Sequence, residues 1–155
     1  MLTKNSLFLF GEYLISNQIK QGPTKGFIRR FRSTFKKGGA YPEITGYAAS
    51  SFSKLFDFNK DHRYLRYAIQ SAEALIKYQE KNGSIPTIIS TSGRPENIAH
   101  IFDLAIIARG ILDVFQRTNE ERYLNSAKKI INFIERSYTK KNFPSVVDLA
   151  GNPKI

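Results

Sequence analysis

The sequence predicts an all-α protein built from repeated helical hairpins. Three observations carry this expectation: a segment that recurs at an offset of 59 residues, apolar stripes of helical period inside each copy, and only brief strand-like runs between them. Arg63-Tyr64-Leu65-x-x-Ala68 lies over Arg122-Tyr123-Leu124-x-x-Ala127. Upstream, Leu55-Phe56 and Asn59-Lys60-Asp61 lie over Val114-Phe115 and Asn119-Glu120-Glu121. Downstream, Leu75 lies over Ile134, and one residue out of step Ile85-Pro86 lies over Phe143-Pro144.

Taken in order, a first helix runs from about Ser6 to Lys20 and is the outer partner of a hairpin whose first half is absent. A basic inter-hairpin loop, 20–40, follows it. Gly46 to Phe58 carries Tyr47, Ala48, Ala49, Phe52, Leu55 and Phe56, and a helix apolar on most sides is an inner, buried helix. The next helix is amphipathic: Tyr64, Leu65, Ala68, Ile69, Ala72, Leu75 and Ile76 form one stripe, with Arg66, Glu73, Lys77 and Glu80 facing away. Asn82-Gly83 supplies its stop.

Ile85 to Ser90 is a β-prone run inside a loop, where an extended piece fits but a sheet is not expected. Glu96 to Phe115 is the second inner helix, rich in Ile98, Ile101, Phe102, Ala105, Ile106, Ile111 and Leu112. Thr118-x-x-Glu121 can form a capping box at the start of the second outer helix, whose stripe is Tyr123, Leu124, Ala127, Ile130, Ile131 and Ile134. Phe143 to Val147 is a second brief β-prone run. About five main helices result, in a single domain spanning 1–155.

Composition narrows the chemistry. The absence of cysteine excludes disulfides, thiolate metal sites and a cysteine nucleophile. His62 and His100 are too few for an all-histidine metal site, so neither metal nor cofactor is expected. No stretch approaches the roughly 18 uncharged apolar residues of a membrane helix. The short apolar run Leu7 to Phe10 meets Glu12 and lacks a signal-peptide cleavage pattern, so a cytoplasmic location is expected. The net charge of +11 is uneven: residues 20–37 hold seven cations and no acid, leaving a mildly basic helical body.

Ala40-Tyr41-Pro42-Glu43-Ile44-Thr45-Gly46-Tyr47 entering an inner helix, Arg-Tyr-Leu-x-x-Ala opening each outer helix, and His100-Ile101-Phe102-Asp103 resemble phrases of the α/α toroids, the six-hairpin glycosidase-like folds. The Tyr-Pro-Glu-x-Thr-Gly-Tyr phrase is similar to one in toroid proteins of bacterial polysaccharide metabolism. The resemblance extends from about Leu7 to Pro153. It implies a carbohydrate-active protein, of hydrolase, lyase or epimerase type where such a protein is catalytic, acting on a glycan or another sugar-containing substrate. At roughly 60 residues per hairpin the chain is too short to close a ring. An incomplete toroid is expected, a fragment of a larger one, with uncovered faces that favour self-association or a missing half.

In such a fold the inner-helix N-termini and the loops before them surround the cavity, which directs attention to two clusters. Tyr41, Glu43, Thr45 and Tyr47 mark the first: aromatic rings can stack on a sugar face while a carboxylate accepts hydroxyl hydrogen bonds or moves a proton. The alternative is that Glu43 and Thr45 cap the helix and Tyr41 packs the loop. Arg94, Glu96, His100 and Asp103 mark the second, with Glu96 and His100 four apart on one helical face and Asp103 three further on. Its alternative is a capping Glu96 after Pro95 and a buried, hydrogen-bonded Asp103. Glycoside hydrolysis uses two carboxylates roughly 5 to 9.5 Å apart, and Glu43 with Asp103 is the pair nominated for catalysis. Tyr41, Tyr47, Arg94, Glu96 and His100 are nominated for substrate binding.

The basic loop is the second place to look. Phe27, Phe31 and Phe35 recur every four residues among Arg29, Arg30, Arg32, Lys36 and Lys37. Such a pattern can stack bases and hold phosphates, or anchor a loop to the core with solvated charges outside. It supports an alternative function, a noncatalytic helical-repeat module binding a protein or an acidic polymer; nucleic acid is the lesser reading. Gly22-Pro23-Thr24-Lys25-Gly26 lacks the spacing of a phosphate loop.

Overall fold

The computed structural model describes residues 4–29, 39–138 and 144–154. Among them run five helices: α1 (Lys4–Asn17), α2 (Pro42–Asn59), α3 (His62–Lys77), α4 (Ile101–Thr118) and α5 (Glu121–Ser137). Two strands of two residues each, β1 (Ala99–His100) and β2 (Val146–Val147), pair antiparallel. The fold class is therefore the all-α hairpin repeat that the sequence predicts. The small sheet is a departure, and its physical basis lies in the loops.

α2 and α4 form the inner layer and pack on each other, while α3 lies on α2 and α5 on α4. Glycine decides how closely the inner pair approaches. A methyl group on Gly46 would sit 2.9 Å from Ile107 Cα, and one on Gly110 would strike the Gly46 carbonyl oxygen. The amphipathic stripes of α3 and α5 close over this pair. Tyr64, Ala68, Ala72 and Leu75 are fully buried on α3, as are Tyr123, Ala127 and Ile130 on α5. Each large apolar side chain buried this way contributes roughly 1.5 to 3 kcal/mol of transfer free energy. α1 is less covered: Phe8, Leu9, Phe10 and Tyr13 remain exposed.

The repeat persists in the backbone. α2 and α4 end at Lys60 and Asn119, left-handed at φ 59° and 55°, whose N–H groups return to the carbonyls of Phe56 and Phe115. Asp61 caps α3 by accepting from the Arg63 N–H and also pairs with the Arg63 guanidinium. Its counterpart Glu120 pairs with Arg122 without capping α5. The capping box expected from Thr118 does not form: Thr118 is the last residue of α4 and Glu120 takes the N-cap place of α5, so the Thr118 hydroxyl accepts the Glu120 N–H at 3.3 Å while donating to the Val114 carbonyl. The stop expected at Asn82-Gly83 also falls elsewhere: α3 ends at Lys77, and Asn82-Gly83 forms the following turn, with the Gly83 N–H on the Glu80 carbonyl.

The loops repeat as well. Ala40 pairs with Ile89 as Ala99 pairs with Val147, and Ile89 meets Pro95 as Val147 meets Pro153. Within each loop a turn closes on a left-handed glycine, Gly93 at φ 83° and Gly151 at φ 98°. These crosslinks delay the second inner helix. The Glu96 N–H donates to the Ile88 carbonyl at 3.0 Å and Thr87 donates to Ile98 at 2.9 Å. Residues 95–100 are thus held extended and α4 begins at Ile101, not at Glu96.

Candidate functional site

The N-terminal ends of α2 and α4 are tied into one rim. The Ala40 N–H donates to Ile89 at 2.8 Å, Ile89 donates back at 3.1 Å, and two residues earlier Thr87 bonds to His100. The segment 87–89 therefore joins the approach to α2 with the start of α4. Ile101 is drawn to the third loop by its N–H bond to Ser145.

On the α2 side, Tyr41 is the N-cap residue in extended conformation, with no capping bond from its side chain. Its carbonyl takes the Thr45 hydroxyl at 2.9 Å, and that same hydroxyl oxygen accepts the Ile28 N–H at 3.0 Å. Thr45 is fully buried and anchors the basic loop to α2, so it is not available to a ligand. Glu43 is half-buried in the first turn, where the helix dipole favours its negative charge. Tyr47, one turn on, is 42% exposed.

On the α4 side, His100 is the N-cap residue and Asp103 lies in the first turn. The His100 Nδ1 is 3.1 Å from the Thr87 hydroxyl and 3.4 Å from Asp103 Oδ2. The Thr87 oxygen also accepts the His100 main-chain N–H at 3.1 Å. Asp103 is buried, and burial raises its pKa above the ordinary carboxylate range, opposed by the nearby His100 ring and the Thr87 hydroxyl. The His100 side chain keeps 41% of its surface exposed. A buried carboxylate behind a half-open imidazole is an arrangement suited to proton transfer.

Glu96 departs from expectation. It precedes α4, so it shares no helical face with His100 and caps no helix; it lies exposed on the rim with Arg94. Arg94 sits in the turn closed by Ser90, whose hydroxyl accepts the Arg94 N–H at 3.0 Å. Thr87 is the residue that sequence reasoning missed. Its signal is the β-prone run Ile85 to Ser90, which is laid alongside 95–98 by main-chain bonds and so carries Thr87 beneath His100.

Of the basic loop, Phe27 is fully buried against the Tyr78 ring, with centroids 5.5 Å apart. This is the anchoring role weighed above. Phe31, Phe35, Arg30, Arg32, Lys36 and Lys37 lie outside the described residues. A cleft of about 440 Å³ between Gly22, Lys25, Gly26 and the α3 residues Gln70, Glu73 and Lys77 flanks the described part of the loop. Among the described residues no helix is long and apolar enough to cross a membrane.

Solved structures decide the architecture. A sugar epimerase from a ruminal bacterium superposes with a TM-score of 0.77 over 96% of this chain at 13% identity. The chain folds as part of an α/α toroid. Cellobiose 2-epimerase from Bacillus thermoamylovorans matches the partial toroid at TM-score 0.71 over 97% of the chain, at 18% identity. A possible GH105-family member from Salmonella enterica matches at 0.70 over 92%, at 15% identity. The chain spans 39% of each of these structures, so the partial toroid corresponds to under half of their length. No family model and no curated protein sequence matches it.

Proposed function

We propose that this chain forms a section of the wall of a carbohydrate-active α/α toroid and holds a sugar against the N-terminal ends of α2 and α4. The observation that supports this reading is the His100–Asp103 pair, 3.4 Å apart, with the carboxylate buried and the imidazole half exposed. Asp103 orients the ring, and the outer nitrogen of His100 takes a proton from a sugar hydroxyl or from a carbon beside a carbonyl, then returns it. Glu43, brought to the same rim by the Ala40–Ile89 pairing, supplies the second carboxylate. Tyr41 and Tyr47 offer ring faces to the sugar, and Arg94 and Glu96 bind hydroxyls at the rim.

Two carboxylates across a bond would serve hydrolysis, whereas a histidine backed by a buried acid serves proton abstraction and return, the chemistry of epimerisation and isomerisation. The solved structures with this fold include proteins described as epimerases, as a mannose isomerase and as an amylase. The pair on α4 favours the proton-transfer class for this chain.

Calorimetric titration of the chain with aldohexoses and β-linked disaccharides tests the reading. Binding that is lost in His100→Ala and weakened in Glu43→Gln supports it. Binding to an acidic polymer that ignores both changes and disappears on charge reversal at Arg29, Arg30 and Arg32 would move the function to the basic loop.

A further inference from the structure

The inner layer has an open side, turned away from α3 and α5, and two cations stand on it. On α4, Phe102, Ala105 and Arg109 are exposed at spacings of three and four, while Leu104, Ile107, Ala108 and Ile111 are buried. On α2 the exposed line is Tyr47, Lys54 and Phe58, with Glu43 and Ser51 half-buried beside it. Gly46 lies against the 106–110 stretch of α4, so Tyr47 and Arg109, neighbours of the two touching glycines, stand at the same depth. The open side therefore runs from the rim at Glu43 and Phe102 down to Tyr47 and Arg109, and on to Lys54.

Arg109 is unlike the other helical arginines. Arg63, Arg117 and Arg122 are paired with carboxylates, Arg66 lies over the Tyr67 ring, and Arg136 donates to the Asn82 carbonyl. Among the described residues, Arg109 has no ion pair, side-chain hydrogen bond or ring contact, and neither has Lys54. Glu43 pairs with neither of them, and Asp57 and Asp113 are taken by Arg117. The open side below the rim is thus left positive. Helical side chains lean toward the N-terminus of their helix, so the Arg109 stem leads back toward the rim. Seven residues of helix, about 10 Å, separate it from Phe102. Its guanidinium presents a fixed fork of donors that matches a carboxylate or a phosphate.

We infer that the ligand of the rim is a sugar bearing an anionic substituent, a carboxylate or a phosphate, and that Arg109 is the residue that binds it. The inference rests on the reading of the α2–α4 rim as the sugar site and narrows its substrate class. The sugar ring lies against the exposed rings of Phe102 and Tyr47, near His100. Its substituent points along α4 over Ala105, whose small side chain leaves the path open. Arg109 takes the anion with two parallel N–H donors, and Lys54 adds positive potential further along. The described cations of the basic loop are placed otherwise. Lys20 donates to the Ile15 carbonyl at 2.7 Å, and Lys25 lines the cleft against α3, on the outer layer.

The test is calorimetric titration of the whole chain with matched sugars: glucose against glucuronate and glucose 6-phosphate, and galactose against galacturonate. The wild type is expected to bind at least one anionic member about tenfold tighter than its neutral counterpart, and the tighter of the two glucose derivatives names the substituent. Arg109→Gln, an exposed change to a good helix former, is expected to abolish that preference while neutral-sugar affinity stays within about twofold. Arg109→Ala serves if the glutamine variant does not fold. Lys25→Gln, an equal loss of charge on the outer layer, is expected to leave the preference intact. Neutral and anionic members bound equally by the wild type overturn the inference and leave the sugar-binding rim standing, as does a preference that survives in Arg109→Gln. Inorganic phosphate bound as tightly as glucose 6-phosphate also overturns it, because charge alone would then account for the binding. Failure of every sugar to bind, neutral or anionic, sinks the function proposed above and this inference with it.

Discussion

Lys60 and Asn119 adopt the same left-handed backbone, at φ 59° and 55°, and each returns its N–H to a phenylalanine carbonyl, Phe56 and Phe115. Two non-glycine residues in this conformation at equivalent places mark the sharp reversal that each hairpin needs between its inner and outer helix. The conformation costs an L-residue about 1 kcal/mol, less for asparagine. Lys60→Gly is therefore expected to stabilise the protein by roughly 0.5 to 1 kcal/mol, and Asn119→Gly by less. Urea denaturation of the two variants checks the order.

The inner helices meet through Gly46 and Gly110, where an added methyl would strike main-chain atoms that cannot turn aside. Gly110→Ala is expected to lower stability by about 1 to 3 kcal/mol, the usual cost of overpacking, although alanine is the better helix former. A denaturation midpoint equal to or above that of the wild type would show that α2 and α4 do not approach as described.

Tyr64 and Tyr123 are fully buried equivalents with different surroundings. The Tyr123 hydroxyl donates to Glu73 at 2.7 Å and accepts from Arg122, whereas the Tyr64 hydroxyl has no hydrogen-bond partner. Tyr123→Phe is expected to cost about 1 to 2 kcal/mol, and Tyr64→Phe to be neutral or stabilising. Burial and the Glu73 carboxylate raise the Tyr123 pKa well above the ordinary tyrosine value. The unfolded chain then ionises first as pH rises, so stability falls above about pH 10. Tyr123→Phe should flatten that fall, as denaturation midpoints between pH 8 and 11 would reveal.

Much of the hairpin pattern was legible because it is local. Arg63-Tyr64-Leu65 and Arg122-Tyr123-Leu124 carry helical periodicity, and their tyrosines are the most voluminous fully buried side chains. What escaped the sequence depends on distant main-chain bonds. Nothing near Glu96 announces that its N–H will be taken by Ile88, which excludes 95–100 from α4. Thr118 has the spacing of a cap, but it closes α4 and Glu120 takes the N-cap place of α5. The pairing of Asp103 with His100 followed from their spacing of three; the threonine beneath them did not, since it comes from a loop 13 residues away.

Asp103 offers a stability test of a functional assignment. Burial raises its pKa in the folded state above that of the unfolded chain. Its contribution to stability is therefore fully present below about pH 3.9, the unfolded value, and is lost as pH rises through the folded value. Asp103→Asn removes the buried ionisation and is expected to gain stability relative to wild type as pH rises from 4 to 8, while losing the sugar-directed role. Paired urea titrations across that range check the sign.

The central claim is that the ends of α2 and α4 form one sugar-binding rim, and amide chemical-shift mapping of the chain during titration with hexoses and disaccharides tests it most directly. The account predicts saturable shifts that converge on Tyr41, Glu43, Tyr47, Arg94, Glu96, His100 and Asp103 and vanish in His100→Ala. Shifts confined to the loop from Lys20 to Arg29, or to the exposed face of α1, would contradict it.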